Sequence, residues 1–490
     1  MAAPKPHVAF LGLGAMGFAM STHLVRCGVQ VTGFDIYPPT LERWTKACQG
    51  IQAHETPTAQ YSSTVSPREA VGAVGVNLVI LMVATHQHVD SALFDAKVGA
   101  APALPRDIPV IIMATIPPTY PATVHRRLME GYGRSDVKVI DAPVSGGTVR
   151  SANGTLTIMV SSAEPSTMKL PQVQSVLHTL SNGGNTLFPI PGGLGSGEAA
   201  KALNQVQCGI HIVGGAEIMV FAALAGLNTR RFLNVIETRS TKEATKLAPG
   251  VDKERYAHGW TWMICNRGPR MLDDREPLGS AITIINKDVN IIVDEQQRLG
   301  VELPLVNIAA HQLQACMDRN IALWDDAYIT KFYLDPTLQD TTKMNRVIEQ
   351  AASGFEPTLD TQETATTTQI IMQAHALINL CSAYETVMFA EALDLMGLLQ
   401  RKMWFTLIAG AAGGSTVFEE VVPMAFEALD QEGRDWREGF ARYAREVAEK
   451  QWNIHAIQQL LRRVKVENRG FKPVMLEKAL VFVQDLCAQS

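Results

Sequence analysis

The sequence predicts an α/β chain: a doubly wound parallel sheet over its first 190 or so residues, followed by two all-α domains. Three observations carry this. Short apolar runs alternate with helix-like stretches up to about residue 190; the strand pattern stops after Gly197; and beyond that point apolar residues recur at i, i+3 and i+4, in two blocks that resemble each other.

The apolar runs come in order as HVAFLGL (7–13), VQVTGFD (29–35), VNLVILMV (76–83), VIIMAT (110–115), VKVIDAP (137–143) and LTIMVSS (156–162). They suit parallel strands covered on both faces, with the intervening stretches as crossover helices. The first run leads into GLGAMG, comprising Gly12, Leu13, Gly14, Ala15, Met16 and Gly17. A lone GxGxxG is a weak signal. Here it follows a strand and opens a helix, the Rossmann-type context that dinucleotide binding requires. Gly12 permits the tight turn, Gly14 lets the backbone approach a pyrophosphate, and Gly17 lets helix and strand pack closely. Asp35 closes the second run, 18 residues after Gly17. A carboxylate there accepts hydrogen bonds from ribose hydroxyls and repels a 2′-phosphate, and no arginine follows closely. NAD is therefore expected in preference to NADP.

Gly193, Gly195 and Gly197 crowd one loop, and a helix-like run follows with Lys201 one turn in and Asn204 three residues further on. Helices are expected over 198–226, 229–240, 279–299 and 304–318. From about 330 to 370 the text turns polar, rich in Thr and Asp, as a partly helical connection would be; 371–490 is helical again. KALNQVQCGIHIVGGAEIMVFAALAG (201–226) and MQAHALINLCSAYETVMFAEALDLMG (372–397) both span 26 residues and end in Gly. In that register Met372 stands opposite Lys201 and His375 opposite Asn204, so the second block is expected to be a structural copy without an active site, packed on the first about a pseudo-twofold axis. The domains expected are 1–192 (dinucleotide binding), 193–329 (all-α, substrate and catalysis), 330–370 (connection) and 371–490 (degenerate all-α).

Composition narrows the function. With 490 residues, 47% hydrophobic and 19% charged, the chain is long enough for several cores and ordinary for a globular protein. A net charge of −5 without a basic stripe excludes nucleic acid as the main partner. Seven scattered cysteines offer no CxxC pair and no metal-ligand spacing, and His86 and His88 lack further ligands at helical spacing; no metal is expected. The strand-like run at residue 7 leaves no room for a targeting peptide, and no 18-residue window is free of charge and polarity. The expectation is a cytoplasmic protein, monomer or homodimer, with a small-molecule substrate and no membrane partner.

Four stretches in order, FLGLGAMG, DAPVSGGTVRSANGTLTIMVS (141–161), GSGEAAKALNQ (195–205) and NKDVNIIVDEQQRLG (286–300), resemble the signatures of the β-hydroxyacid dehydrogenases, over about residues 7 to 320. That family includes 3-hydroxyisobutyrate dehydrogenase, tartronate semialdehyde reductase, threonate dehydrogenase and 6-phosphogluconate dehydrogenase. The resemblance implies all-α domains of the 6-phosphogluconate dehydrogenase C-terminal type. It also implies that Lys201 is the catalytic acid/base, carried into a cleft between sheet and helices by a long interdomain helix. A lysine in an apolar cleft beside a cationic nicotinamide has its pKa lowered toward working pH. Asn204, on the same helix face, would bind the same substrate hydroxyl. Ser145, Gly146 and Gly147 offer a hydroxyl and a backbone nest for the substrate carboxylate. By resemblance, Thr115 lies against the nicotinamide ribose, Lys287 contacts cofactor and substrate, and Asp288 anchors its helix.

Departures from the family pattern matter as well. Cys208 stands where 6-phosphogluconate dehydrogenase carries a glutamate, so oxidation without coupled decarboxylation is implied. The paired asparagines of the family are Asn204 and Gln205 here, and MVATHQH (82–88) lacks an asparagine often found after that strand. NRGPRML (266–272) is similar to the threonate dehydrogenase branch, which implies a C3–C4, polyhydroxylated acid as substrate. Arg267 or Arg270 either meets its extra hydroxyls or forms a surface ion pair. The alternatives are 3-hydroxyisobutyrate dehydrogenase or tartronate semialdehyde reductase activity and, in another class, a non-catalytic NAD(P)-binding scaffold; Lys201 speaks against the last.

Overall fold

Apolar runs flanked by helices on both sides bury both faces of a strand, and the first 190 residues are built in this way. The structure, a computed structural model, describes residues 6–237, 258–273, 279–334, 346–353, 362–431, 435–449 and 451–488. Its strands are β1 (His7–Leu11), β2 (Gln30–Phe34), β3 (Tyr61–Ser63), β4 (Leu78–Leu81), β5 (Pro109–Ile112), β6 (Lys138–Asp141), β7 (Val144–Ser145), β8 (Thr157–Ser162) and β9 (Leu187–Pro189). They form one sheet in the order β3-β2-β1-β4-β5-β6-β8-β7, with β9 on β8. The pairings from β3 to β6 are all parallel, giving the doubly wound order 3-2-1-4-5-6.

The sixth run departs from expectation. β8 is antiparallel to both β6 and β7, because residues 146–156 between β7 and β8 are too few for a crossover. β3, β7 and β9 have two or three residues each, too short to leave a periodic signal.

Alternation along each strand feeds two cores. Val8, Phe10, Ile80 and Ile111 pack with Leu24 and Trp44 on one face; Ala9, Leu11, Val79, Val110 and Ile112 pack with Val124 and Leu128 on the other. With both sides apolar, the strands read as continuous hydrophobic text.

The chain divides into two compact units, Met1–Ala202 with Leu395–Leu407, and Leu203–Asp394 with Ile408–Ser490. The division falls within one helix, Ser196–Leu224. By length and composition this helix could cross a membrane, which the uncharged-window criterion did not reveal; 94% of its apolar window is buried inside the protein.

In the second unit the expected helices are Thr229–Glu237, Ile282–Leu299 and Pro304–Met317. Residues 238–240 of the expected second helix lie outside the described residues. Gly300, at φ +67°, ends one helix and Pro304 starts the next, each in the position its backbone favours. Trp262–Leu272 was not expected, since Pro269 and Gly268 interrupt its pattern. Of the polar connection, Asp326–Phe332 is a 3₁₀ turn and Val347–Ser353 a short helix, while 335–345 and 354–361 lie outside the described residues. The second long helix starts at Gln362, inside the polar text, and runs to Ala392.

Paired elements recur within this unit. Thr261 and Ser415 face each other in an isolated antiparallel bridge, and each caps the helix that follows: the Thr261 hydroxyl accepts the Ile264 N–H at 3.1 Å, and the Ser415 hydroxyl accepts the Phe418 N–H at 3.2 Å. Glu217 on the first long helix accepts the N–H groups of Met475 and Leu476, while Glu385 on the second accepts those of Leu305 and Val306. Those glutamates lie 168 positions apart, so this pairing sets Gln369 opposite Lys201 and Met372 opposite Asn204. That register differs by three residues from the one suggested by matching the two helices on composition.

Candidate active site

The loop GLGAMG lies at the carboxyl end of β1. Gly12 has φ +98°, and a Cβ there would meet the Met82 carbonyl oxygen at 2.4 Å; one on Gly17 would meet the Gly12 carbonyl oxygen at 2.0 Å. Both positions need glycine. Gly14 differs, since a Cβ would meet nothing within 4 Å and the residue is exposed. It precedes helix Ala15–Arg26, which starts with no side-chain cap and no acidic residue in its first turn. Open N–H groups, a positive helix end and a bare backbone fit a dinucleotide pyrophosphate.

Asp35, just past β2, holds this loop in shape: Oδ2 accepts the Leu13 N–H at 2.7 Å and Oδ1 the Tyr37 N–H at 2.8 Å. Arg43 stacks on the Phe18 ring, 4.5 Å from its centroid. Met16 reaches the segment after β7, where the Ser151 hydroxyl donates to its Sδ at 3.5 Å. Ser145 is buried on β7; Gly146 and Gly147 take φ +136° and +66° as the chain turns into helix Gly147–Ala152.

The helix carrying Lys201 begins on a carboxylate. Asp141, the last residue of β6 and fully buried, accepts the Gly195 N–H on Oδ1 at 3.0 Å and the Glu198 N–H on Oδ2 at 3.1 Å. The Ser161 hydroxyl donates to the same Oδ1 at 2.6 Å and accepts the Gly197 N–H at 3.0 Å. Burial pushes the Asp141 carboxyl up to about 6, and these donors pull against that rise. Gly195 and Gly197 allow the close approach, since a Cβ would meet Pro118 O at 2.2 Å or Met159 O at 2.5 Å. Glu198, buried in the first turn, accepts the Ile116 N–H at 3.3 Å and so ties the Lys201 helix to the loop holding Thr115. Lys201 itself is buried, 5% exposed.

Within the first unit Gly12–Met16, Asp35, Thr115 and Gly146–Gly147 lie on the segments that follow β1, β2, β5 and β7, Ser145 ends β7, and Lys201 lies one turn into the helix whose start is held by Asp141 at the end of β6. Such carboxyl ends are where open α/β sheets bind ligands. Sequence reasoning missed Asp141, Ser161 and Glu198. The signal was available in part: Asp141 is a lone carboxylate ending an apolar strand.

Asn204 and Lys287 belong to the second unit, and a short chain of polar contacts joins them. Asn204 Nδ2 donates to Gln205 Oε1 at 3.0 Å, Gln205 Nε2 donates to Asp288 Oδ2 at 2.5 Å, and Lys287 Nζ pairs with Asp288 Oδ1 at 2.9 Å. Asn204 also accepts the Gly413 N–H at 3.1 Å and reaches Cys208 Sγ at 3.4 Å. Its amide is thus largely engaged within the protein. Arg267 grips Asp326 with two nitrogens, at 3.0 and 2.7 Å, and Arg270 pairs with Asp325 at 2.9 Å. Both ion pairs are buried, where the sequence alone suggests such a pair at the surface. His86 lies against the Tyr120 ring and His88 bonds Thr85.

Residues 7–188 match the family described as the NAD binding domain of 6-phosphogluconate dehydrogenase, and residues 195–333 match the NAD-binding domain of NADP-dependent 3-hydroxyisobutyrate dehydrogenase. An L-threonate dehydrogenase of Cupriavidus necator is 31% identical over 309 residues, 63% of this chain and 89% of that protein. The crystal structure of a 3-hydroxyisobutyrate dehydrogenase from Salmonella typhimurium is 25% identical, with a TM-score of 0.53, and covers 67% of this chain and 100% of its own. The 6-phosphogluconate dehydrogenase of Plasmodium falciparum is only 13% identical, yet it covers 99% of this chain and 93% of its own at a TM-score of 0.62, a likeness of fold.

Proposed function

The chain belongs to the β-hydroxyacid dehydrogenase family, and from that premise we propose that it interconverts a C3–C4 hydroxy-acid, polyhydroxylated like threonate, and its oxo form, with Lys201 as acid/base. It is an NAD(P)-dependent hydroxyacid dehydrogenase. The observation that carries the catalytic reading is the buried Lys201, one turn into a helix whose start is fixed by Asp141.

Bound at the Gly12–Met16 loop, the nicotinamide cofactor supplies the hydride acceptor. The uncapped start of helix Ala15–Arg26 holds its pyrophosphate, Asp35 meets the adenosine ribose, and Thr115 lies toward the nicotinamide ribose. The Asp35 carboxylate favours NAD over NADP, because it would oppose a 2′-phosphate. Lys201 takes the hydroxyl proton in oxidation and returns it in reduction. Ser145, Gly146 and Gly147 hold the substrate carboxylate. Asn204 and Lys287, joined through Gln205 and Asp288, orient the hydroxyl end.

The domain reading is likewise ours: residues 1–192 bind the dinucleotide, 193–329 form the substrate domain, and 371–490 are its degenerate copy, which holds no second site. A panel of small hydroxy-acids, assayed with NAD by the absorbance of the reduced nicotinamide, tests the proposal. Turnover of a C3–C4 hydroxy-acid supports it, and a protein that binds NAD but oxidises none of the panel refutes it.

A further inference from the structure

The helical unit contains two buried glutamates that do the same job in different company. Glu217 accepts the Leu476 N–H at 2.7 Å and the Met475 N–H at 3.1 Å, closing the start of helix Val474–Ala488. Glu385 accepts the Leu305 N–H at 2.7 Å and the Val306 N–H at 3.1 Å, closing the start of helix Pro304–Met317. Burial raises both carboxyls to about 8.

A third donor distinguishes them. The Tyr333 hydroxyl donates to Glu217, and its buried ring packs near Phe471, which stacks on Phe221. A phenol therefore stands on the first carboxylate. At Glu385 no side chain among the described residues donates to the carboxylate, and a cavity of about 150 Å³ opens beside it. Leu305, Tyr384, Met388 and Phe482 provide apolar and aromatic wall, with Lys478 and Glu302 as the other charged groups. The cavity is partly open to solvent, with the exposed Glu302 and Lys478 among its lining, and its volume is roughly that which holds a benzene ring in an apolar interior.

We propose that this cavity binds a small single-ring molecule bearing one hydroxyl, a phenol, whose O–H donates to Glu385 as Tyr333 donates to Glu217. Ring burial against Leu305, Met388 and Phe482 supplies affinity, and the hydroxyl supplies selection, because a buried carboxyl oxygen rewards a donor that an unsubstituted ring lacks. The site uses none of the residues assigned to the dehydrogenase reaction.

The test is calorimetric titration of the full-length protein with p-cresol and, separately, toluene. Saturable binding of p-cresol is expected at one per chain, with toluene weaker by at least about tenfold, the worth of one such hydrogen bond. Met388→Trp, which fills the cavity without touching either cap, is expected to abolish p-cresol binding and leave dehydrogenase turnover unchanged. Absence of saturable p-cresol binding, equal affinity for toluene, or undiminished binding in the folded Met388→Trp protein would each overturn the proposal. The comparison of the two ligands needs no variant, so it decides the matter even if Met388→Trp does not fold.

Discussion

Two glycine loops, GLGAMG at 12–17 and GGLGSG at 192–197, look alike in sequence and each opens a helix. A carboxylate takes an N–H of each loop, Asp35 that of Leu13 and Asp141 those of Gly195 and Glu198, but the helix starts differ. At the first, Gly14 is exposed and the helix start has no side-chain cap. At the second, Asp141 and Ser161 take the N–H groups of Gly195, Gly197 and Glu198, so the anion is built into the protein. A glycine-rich helix start binds phosphate only where no carboxylate of the chain already fills it. The glycines of the first loop leave room for a ligand; those of the second let a helix approach Pro118 and Met159 and present Lys201.

The sharpest way to break this contrast is to remove what the second loop presents. Lys201→Ala is expected to lower kcat by roughly 10²–10⁴-fold, the usual worth of general acid–base catalysis, with NADH affinity near that of the parent protein. Steady-state kinetics and a fluorescence titration check both; retention of most of the turnover refutes the assignment. Next comes Asp141→Ala, which removes the built-in anion and strands buried N–H groups. A loss of about 3 kcal/mol in unfolding free energy is expected. A denaturant titration showing under about 1 kcal/mol would mean that Asp141 is not the cap that matters.

At the first loop, Asp35→Ser removes the carboxylate that would oppose a 2′-phosphate. The ratio of kcat/KM for NAD over NADP is expected to fall about tenfold, the scale of one charged contact. A parent protein indifferent between the two cofactors would defeat the reading.

The smallest effect is expected from pH. The Glu217 and Glu385 carboxyls titrate at about 8 in the folded chain and near 4.3 when unfolded, so their stabilising contribution is complete below about 4.3 and is lost as pH rises toward 8. His375, lowered to about 4 by burial, acts the other way, and its contribution is complete above about 6.5. Between pH 6.5 and 8 the glutamates therefore dominate, and Tm should fall. Glu217→Gln should flatten that slope, and thermal melts at both pH values would reveal it.

Much of the sheet was legible because parallel strands covered on both faces are mainly apolar, as the runs ending in Leu11, Phe34, Leu81, Ile112 and Asp141 are in their middles. The short strands Val144–Ser145 and Leu187–Pro189 were not legible, since two or three residues carry no period. In the candidate site, Gly12, Gly14 and Asp35 could be named from spacing alone. Asp141 and Glu198 could not, because they act on backbone N–H groups 54 and 82 residues away in the chain. Arg267 and Arg270 illustrate the reverse: sequence left them between substrate hydroxyls and a surface ion pair, and folding pairs them with Asp326 and Asp325 in the interior.

The sequence by itself determined the order of the longer elements, the GLGAMG loop and the position of the lysine, all of which rest on periodicity or on motifs within a few residues. Tertiary structure alone decided which helix start stays uncapped, which carboxylates become caps, and that Glu217 and Glu385 each close a distant helix. The physical reason is that a buried polar group is set by the partner that satisfies it, and here those partners lie dozens to hundreds of residues apart.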